Sequence, residues 1–387
     1  MKGGMMDSGR AGHFRRQPNG YESFVPKPLP PDPPLRWDDS LIRGLSEATT
    51  ALARLDGHAN ILPNPGLFIA SYVRREAVLS SQIEGTQSSL DDVLAHEVAA
   101  RTHEPPPDIA ETINYVRAMR LGLGLLDELP LSGRLIRRVH QELMTGVRGQ
   151  ERSPGEFRTT QNWIGAAGCT LETATFVPPA PDDLAAALRD FEIFLNDSDD
   201  PPLVLAALAH AQFETIHPFL DGNGRVGRLL ITLVLVQRRM LARPLLYLSL
   251  FLKQNRSEYY DRLDALRMHG DWEGWLKFFL TGVAVTADDA ARVAVELVEL
   301  HETHRRIAAD QGFGRYGWPL LDLLAEQPIV TIKYASERLG STPTTIGRCL
   351  DQMAFLGMVE EVTGRERYRV YRYTPFLEAL TAGSDAG

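Results

Sequence analysis

The residues best suited to chemistry crowd into one stretch, His217-Pro218-Phe219-Leu220-Asp221-Gly222-Asn223-Gly224-Arg225-Val226-Gly227-Arg228. His217 titrates near working pH and can take a proton from a hydroxyl. Asp221 offers hard oxygen to a Mg²⁺ ion that bridges phosphates. Gly222, Asn223 and Gly224 can present N–H donors and an amide to phosphate oxygens as charge develops. Arg225 and Arg228 can neutralise a phosphate tail. Together these types describe phosphoryl or nucleotidyl transfer, and spacing alone does not choose between the two.

A turn and a helix must hold them. Glycine on both sides of Asn223 allows positive φ and the close approach of another group. Val226, Leu229, Leu230, Leu233 and Val234 follow at helical spacing. The Gly-Asn-Gly segment is thus predicted to start a helix, where unpaired N–H groups and the helix dipole favour anions. Arg225 and Arg228 are predicted on neighbouring parts of one helix face. A lone Gly-Asn-Gly would be read as a capped helix with a solvated basic face. His217 just before it, and both arginines just after, favour a polyphosphate cradle with a base beside it.

The stretch resembles the Fic family motif, His-x-Phe-x-Asp/Glu-Gly-Asn-Gly-Arg-x-x-Arg, at all eight defined positions of twelve. The resemblance implies a mainly α fold, a Fic-type helical domain with a β-hairpin flap. It implies His217 as the catalytic residue and Mg²⁺ on Asp221. A nucleotide would lie along Asp221, Gly222, Asn223, Gly224, Arg225, Val226, Gly227 and Arg228. ATP would be the substrate, its AMP passing to Ser, Thr or Tyr of a target protein. The related death-on-curing toxins, which phosphorylate their targets, carry Lys where this chain has Gly224. Glycine there leaves room for a full triphosphate, which favours AMP transfer over kinase activity. Transfer of another nucleotide, or removal of AMP with Glu84 orienting a water, stays open. So does a different class, a DNA-binding regulator whose core only senses nucleotide, although an intact His217 argues against it.

Upstream, residues 65–84 read as a helix with Phe68, Tyr72, Leu79 and Ile83 on one side. It closes with Ser80-Ser81-Gln82-Ile83-Glu84-Gly85, where Ser80 and Glu84 are one turn apart and Gly85 suits helix termination. This is similar to the family's inhibitory pattern, Ser/Thr-x-x-x-Glu-Gly/Asn. The resemblance implies that Glu84 reaches Arg228 and blocks the γ-phosphate, since carboxylate and phosphate compete for one guanidinium fork.

Residues 153–179 are turn-rich, then β-prone near 161–165 and 173–177, which predicts a hairpin closed by Pro178-Pro179. Exposed strand edges suit capture of an extended partner segment. Gly155-Glu156-Phe157-Arg158 and Phe176-Val177-Pro178-Pro179 resemble the family flap, on which the target protein docks. That likeness places Ala174, Thr175, Phe176 and Val177 near the nucleotide. Asn255-Arg256-Ser257-Glu258-Tyr259-Tyr260 resembles the start of the helix lining the adenine and ribose pocket, with Tyr259 and Tyr260 both candidates for its wall and Arg267 nearby. His140 and His210 read as structural.

The rest of the chain divides by composition. Residues 1–20, rich in Gly and Arg, read as flexible. Residues 21–130 form an N-terminal helical region, with six prolines between 24 and 36 that read as an extended arm on the domain surface, in preference to an SH3-type ligand. Residues 131–285 are the catalytic core and 286–312 a linking helix. Residues 313–377 resemble a winged helix-turn-helix domain, and 378–387 read as a flexible tail. Arg365, Arg367 and Arg369 alternate on the module's predicted last strand and so share a face. Yet from Phe313 to Pro375 eight Lys/Arg meet seven Asp/Glu. DNA binding, protein contact and homodimer formation stay as alternatives.

The totals exclude some classes. The 387 residues allow one to three domains. A net charge of −9 argues against a chain that coats nucleic acid or an anionic membrane. The two cysteines, Cys169 and Cys349, imply neither a disulfide framework nor a cysteine zinc site and fit a reducing, cytoplasmic setting. No signal-peptide core is present near Met1, and the apolar run Leu229 to Val236, broken by Thr232, is too short to span a bilayer.

Overall fold

The computed structural model describes residues 9–61, 65–98, 104–166 and 168–382. It is mainly α, as the sequence implies. At its centre, α7 (Pro202–Ile216) and α8 (Asn223–Gln237) are joined by the motif turn. Every residue of α7 from Leu203 to Ile216 is buried, as its apolar circumference requires. Around this pair stand α2 (Pro65–Ile83), α4 (Pro107–Leu125), α5 (Gly133–Met144), α6 (Pro181–Asp197), α9 (Ser249–Gln254) and α10 (Arg256–His269). Phe68, Tyr72, Leu79 and Ile83 of α2 are all buried. Each such side chain contributes about 1.5–3 kcal/mol through removal of apolar surface from water.

Several sequence boundaries shift. Residues 12–16 are not flexible: β1 (Gly12–Arg16) pairs antiparallel with β2 (Glu22–Pro26), Phe14 opposite Phe24. Phe24 is buried, and Arg10 is tied to Glu273 at 2.6 Å and to the carbonyls of Pro33 and Pro34. These contacts anchor the chain from residue 9 onward; residues 1–8 of the expected flexible start lie outside the described residues. The proline arm lies on the domain, with the Lys27 carbonyl accepting from Gln212 and the Arg36 N–H donating to Glu273.

No boundary falls at 285. A single helix, α11 (Trp272–Asp310), runs through the expected core and linker for roughly 58 Å. Its buried stripe of Leu280, Val283, Ala287, Ala290, Ala294 and Leu297 continues across that position, and α1 (Asp39–Ile61) packs along it. The expected flap hairpin is reduced to one antiparallel bridge, Ile164 with Phe176. Its other edge is not free: the Val177 carbonyl accepts from the Phe24 N–H of β2 at 2.9 Å.

After α11 come α12 (Gly317–Glu326), β3 (Ile329–Thr331), α13 (Ile332–Leu339), α14 (Pro343–Phe355), β4 (Glu360–Glu361), β5 (Val370–Arg372) and α15 (Thr374–Thr381). The strands form an antiparallel sheet in the order β3-β5-β4. Thr331 and Thr342 cap α13 and α14 by accepting from the N–H groups of Tyr334 and Thr345. Ile346, Leu350 and Met353 face inward. Arg365 and Arg367 lie in the loop before β5, not on a strand, and Arg369 is paired with Asp351 at 2.6 Å, so the expected three-arginine face does not form. The start of the expected tail is helical, because Leu377 and Leu380 of α15 are buried; residues 383–387 lie outside the described residues.

This module packs on α2, on α11 and on α3 (Leu90–Val98). Phe68 stacks on Phe376 with centroids 6.1 Å apart. Arg74 bonds Glu97 and Gln327, and Arg372 bonds Asp91 at 2.7 Å. Helix α2 is therefore held between the α7–α8 core on one side and the C-terminal module on the other.

Candidate active site

His217 closes α7 in the left-handed region, at φ 49° and ψ 60°. That conformation is uncommon for a residue with a Cβ, and its surroundings hold it there. The His217 carbonyl accepts from Arg158 Nε and Asn162 Nδ2, both at 3.0 Å. Its Nδ1 lies 3.8 Å from Glu214 Oε2, so Nε2 is the nitrogen turned away from that carboxyl. Burial, followed by the nearby Arg267 and Arg158 charges, pulls the imidazole pKa down to about 3. The ring is neutral at neutral pH, the form that accepts a proton.

The turn after His217 is built by buried groups. Asn223 Oδ1 accepts from the Phe219 N–H at 2.8 Å, and its Nδ2 donates to the Phe219 carbonyl at 2.9 Å. The amide is thus committed to the loop and not offered to a phosphate. Gly222 caps α8 at φ 75°, a conformation suited to glycine. The first intrahelical bond runs from Val226 N to the Gly222 carbonyl, so the N–H groups of Asn223, Gly224 and Arg225 have no partner within the helix. Val226 is buried and Gly227 abuts Glu214 and Phe213; both serve packing between α7 and α8. His140 is structural, as expected: it is buried, stacks on Phe219 at 3.7 Å, accepts from the Gly155 N–H and sits 3.0 Å from the Asp221 carbonyl.

The two motif arginines part company. Buried Arg225 donates to Glu111 Oε2 of α4 at 2.9 Å and stands 3.9 Å from Asp221 Oδ1. Arg228 points to α2. Its Nε donates to Ser80 Oγ at 2.8 Å, and its Nη2 donates to the Ser80 carbonyl at 2.9 Å and to Glu84 Oε1 at 2.6 Å. Glu84 stands just beyond the end of α2, which Gly85 terminates at φ 99°. Burial alone would push the Glu84 carboxyl up, but the Arg228 charge and hydrogen bond outweigh it and hold the group below the usual carboxylate range.

Asp221 is partly exposed, its Oδ1 accepting from the Gly222 N–H at 2.7 Å. Among the described residues no cluster of three or more His, Cys, Asp or Glu could hold a metal. One accessible carboxylate beside free helix N–H groups fits a Mg²⁺ ion that takes its other ligands from phosphates and water, but not a protein cage.

The pocket candidates separate likewise. Tyr259 is buried with its hydroxyl on His210 Nε2 at 2.8 Å. Tyr260 is 39 % exposed with Arg256 over its ring, so Tyr260 alone of the pair presents a face to solvent. Phe176 is buried between Phe24 and the Arg267 guanidinium, 4.2 Å from its ring, and Val177 is buried as well. Ala174 and Thr175 remain accessible and, with the β1–β2 hairpin, line a groove of about 1390 Å³.

Sequence alone gives Glu214, Glu111 and Asn162 no role, and marks Arg158 only as part of the flap-like run Gly155-Glu156-Phe157-Arg158. Burial raises the Glu214 carboxyl pKa to about 7. Position three before His217, on the same turn of α7, is the one sequence signal that marks Glu214.

Comparison with known families resolves what this site belongs to. A Fic/DOC family N-terminal profile matches residues 42–124, and a Fic/DOC family profile matches residues 130–235. The chain belongs to the Fic/DOC family. The second profile carries the motif turn and the first carries α2. Curated relatives of this Fic-family chain include the protein adenylyltransferase Fic of Drosophila grimshawi, 33 % identical over 171 residues, which are 43 % of this chain and 32 % of that one. That of Drosophila ananassae is 37 % identical over 137 residues, 35 % of this chain and 24 % of the other. The chain thus spans about a third or less of the length of the curated relatives it matches. A Fic family protein from Desulfovibrio desulfuricans shares the fold at a TM-score of 0.58 and 19 % identity, covering 88 % of this chain and 97 % of that one. A Fic domain-containing signalling protein from Bacteroides thetaiotaomicron does so at 0.50 and 17 %, over 67 % of this chain and 97 % of that one. No described helix is long and apolar enough to cross a membrane.

Proposed function

We propose that this protein is a protein adenylyltransferase, moving AMP from ATP to a Ser, Thr or Tyr hydroxyl of a target protein, and that Glu84 restrains it. The observation that carries the reading is the Arg228 fork. Its guanidinium, at the start of a helix with free N–H groups, is filled by Glu84 Oε1 at 2.6 Å, where an anion of a nucleotide tail would otherwise sit. The protein adenylyltransferase relatives, at 33 % identity over the matched part, support the transfer of AMP.

In this reading the hydroxyl oxygen of the target attacks the α-phosphorus. Its proton passes to His217 Nε2, the α–β phosphoanhydride bond breaks and pyrophosphate leaves. Glu214, near Nδ1, orients the ring and steadies the imidazolium once the proton arrives. The N–H groups of Asn223, Gly224 and Arg225 receive charge on the phosphates, and Arg228 takes the tail once Glu84 has swung away. Asp221 would hold Mg²⁺, which would supply charge neutralisation to the phosphates. The target lies along the groove between Ala174–Thr175 and the β1–β2 hairpin, and Tyr260 flanks the base. The C-terminal module is read as a winged helix from its order of helices and its β3-β5-β4 sheet. With Arg369 paired to Asp351, its contact with α2 favours a regulatory role over nucleic-acid binding.

The test is incubation with radiolabelled ATP. Self-labelling is expected to rise in Glu84→Gly and to vanish in His217→Ala. Labelling that is indifferent to His217→Ala would sink the mechanism.

A further inference from the structure

Behind the helix that carries Glu84 is a cavity of about 310 Å³. It lies on the face of α2 away from Arg228 and is walled by α2, α9, the start of α3, β5 and the end of α15. That volume falls within the range of small-molecule pockets. Its walls have two characters. Val78, Leu79 and Leu90 are apolar and buried. Arg75, Lys253 and Arg372 bring three positive charges to the wall, where Asp91 is the one carboxylate; Arg75 also stands 3.9 Å from Asp289 Oδ2, outside the lining. Arg372 is engaged by Asp91 at 2.7 Å. Arg75 lies over the Tyr247 ring at 4.1 Å and donates to the Ala382 carbonyl. Lys253 is half-buried and makes no ion pair or hydrogen bond among the described residues. A long flexible cation held beside two further guanidinium groups, over an apolar floor, is the chemistry that receives an anion with an apolar body.

We propose that this cavity binds a small organic phosphate, its anion between Lys253 and Arg372 and its apolar part on Val78, Leu79 and Leu90, and that occupancy tightens the Glu84 restraint. The cavity is walled by α2 while Glu84 is seated on Arg228, and a ligand that binds this arrangement better than the released one favours the restrained conformation. The mechanical route is short. Gln82 lines the cavity, donates to the Ser88 carbonyl at 3.0 Å and accepts from the Gly85 N–H. A ligand that clamps α2 to α3, α9 and β5 therefore stiffens the turn on which Glu84 stands. The site assignment is independent of the proposed activity; only the effect on labelling rests on it.

The probe is 1-naphthyl phosphate, with 1-naphthol as the uncharged control, titrated calorimetrically into the full chain. One saturable site is expected, weakened about tenfold by Lys253→Ala, as loss of one charge-assisted contact implies, and restored by Lys253→Arg. Glu84→Gly separates the two anion sites in the molecule. It would leave cavity binding unchanged or weaker, whereas it would strengthen binding at Arg228. Absence of binding, equal binding of 1-naphthol, indifference to Lys253→Ala, or tighter binding in Glu84→Gly each overturns the site. If binding behaves as expected, the probe is also expected to lower labelling in wild type and not in Lys253→Ala. Binding with no such difference overturns the regulatory half alone, and absent labelling in every variant, with binding intact, counts against the adenylyltransferase reading instead.

Discussion

Gly224 and Glu84 occupy one another's space: a methyl group on residue 224 would overlap Glu84 Oε1 and come within 3.0 Å of Arg228 Nη1. Glycine in the motif therefore admits the Glu84 carboxylate in this conformation, and by the proposed mechanism admits the triphosphate in the other. The same absence of a side chain serves both occupants of the Arg228 fork.

Gly224→Ala separates release from room. The added methyl displaces Glu84, so hydrogen exchange at the end of α2 is expected to quicken in Gly224→Ala and in Glu84→Gly alike. Labelling, however, is expected to rise only in Glu84→Gly, because the methyl also fills the phosphate space. Equal labelling by the two variants would show that position 224 does not line the nucleotide.

His217 is expected to stay neutral well below the ordinary histidine range while the site is closed, since its pKa lies at about 3. The folded state then binds fewer protons than the unfolded chain, whose histidines titrate near 6.5. Stability contributed by the neutral ring is present above about 6.5 and is lost as pH falls towards 3. Imidazole NMR shifts of His217 that titrate near 6.5 would contradict the half-buried, Arg-flanked environment.

Glu214 has the opposite sign. Its folded pKa, at about 7, lies above the unfolded value of 4.5, so the folded state holds the extra proton between these values. Its ionisation costs stability progressively as pH rises from about 4.5 to 7. Glu214→Gln removes that cost and is expected to be more stable than wild type at pH 8, by on the order of 3 kcal/mol, with little difference at pH 4. It is expected to lower kcat for labelling more than it changes KM for ATP. Denaturant melts at the two pH values, with single-substrate kinetics, check both statements.

The Arg225–Glu111 pair is buried on both sides. Cutting it at Arg225 leaves the buried Glu111 with only the solvent-exposed Arg148, 3.3 Å from its other oxygen, as a partner. Arg225→Ala is expected to cost about 3–5 kcal/mol, and the Arg225→Met, Glu111→Leu double replacement much less. If the single and double replacements prove equally costly, the pair is not energetically coupled.

Much of the site was legible in local sequence because its residues are close in the chain. The turn from His217 to Arg228 is a helix end, a loop and a helix start, and glycine placement, capping and apolar period dictate that conformation. The residues that immobilise it were not legible. Arg158, Asn162, Glu111 and His140 come from other segments, and nothing in their neighbourhoods marks them as partners of the turn. The β-prone residues of the flap imply a hairpin by themselves, but the β2 strand takes the Val177 carbonyl and one bridge remains. The change of composition at 286–312 implies a linker, but the buried stripe of α11 continues through it against α1.

The sequence by itself determined the helical class, the motif turn, the end of α2 at Gly85 and the presence of an acid able to meet Arg228, since each depends on neighbours within a turn or two. The tertiary structure brings that acid to Arg228, as the resemblance implies, and it alone decided which tyrosine is open and which face of α2 the C-terminal module covers. Those outcomes depend on side chains more than a hundred residues apart, as with Glu84 and Arg228. Backbone propensity carries no record of such distances; burial and charge pairing set them only when the chain has folded.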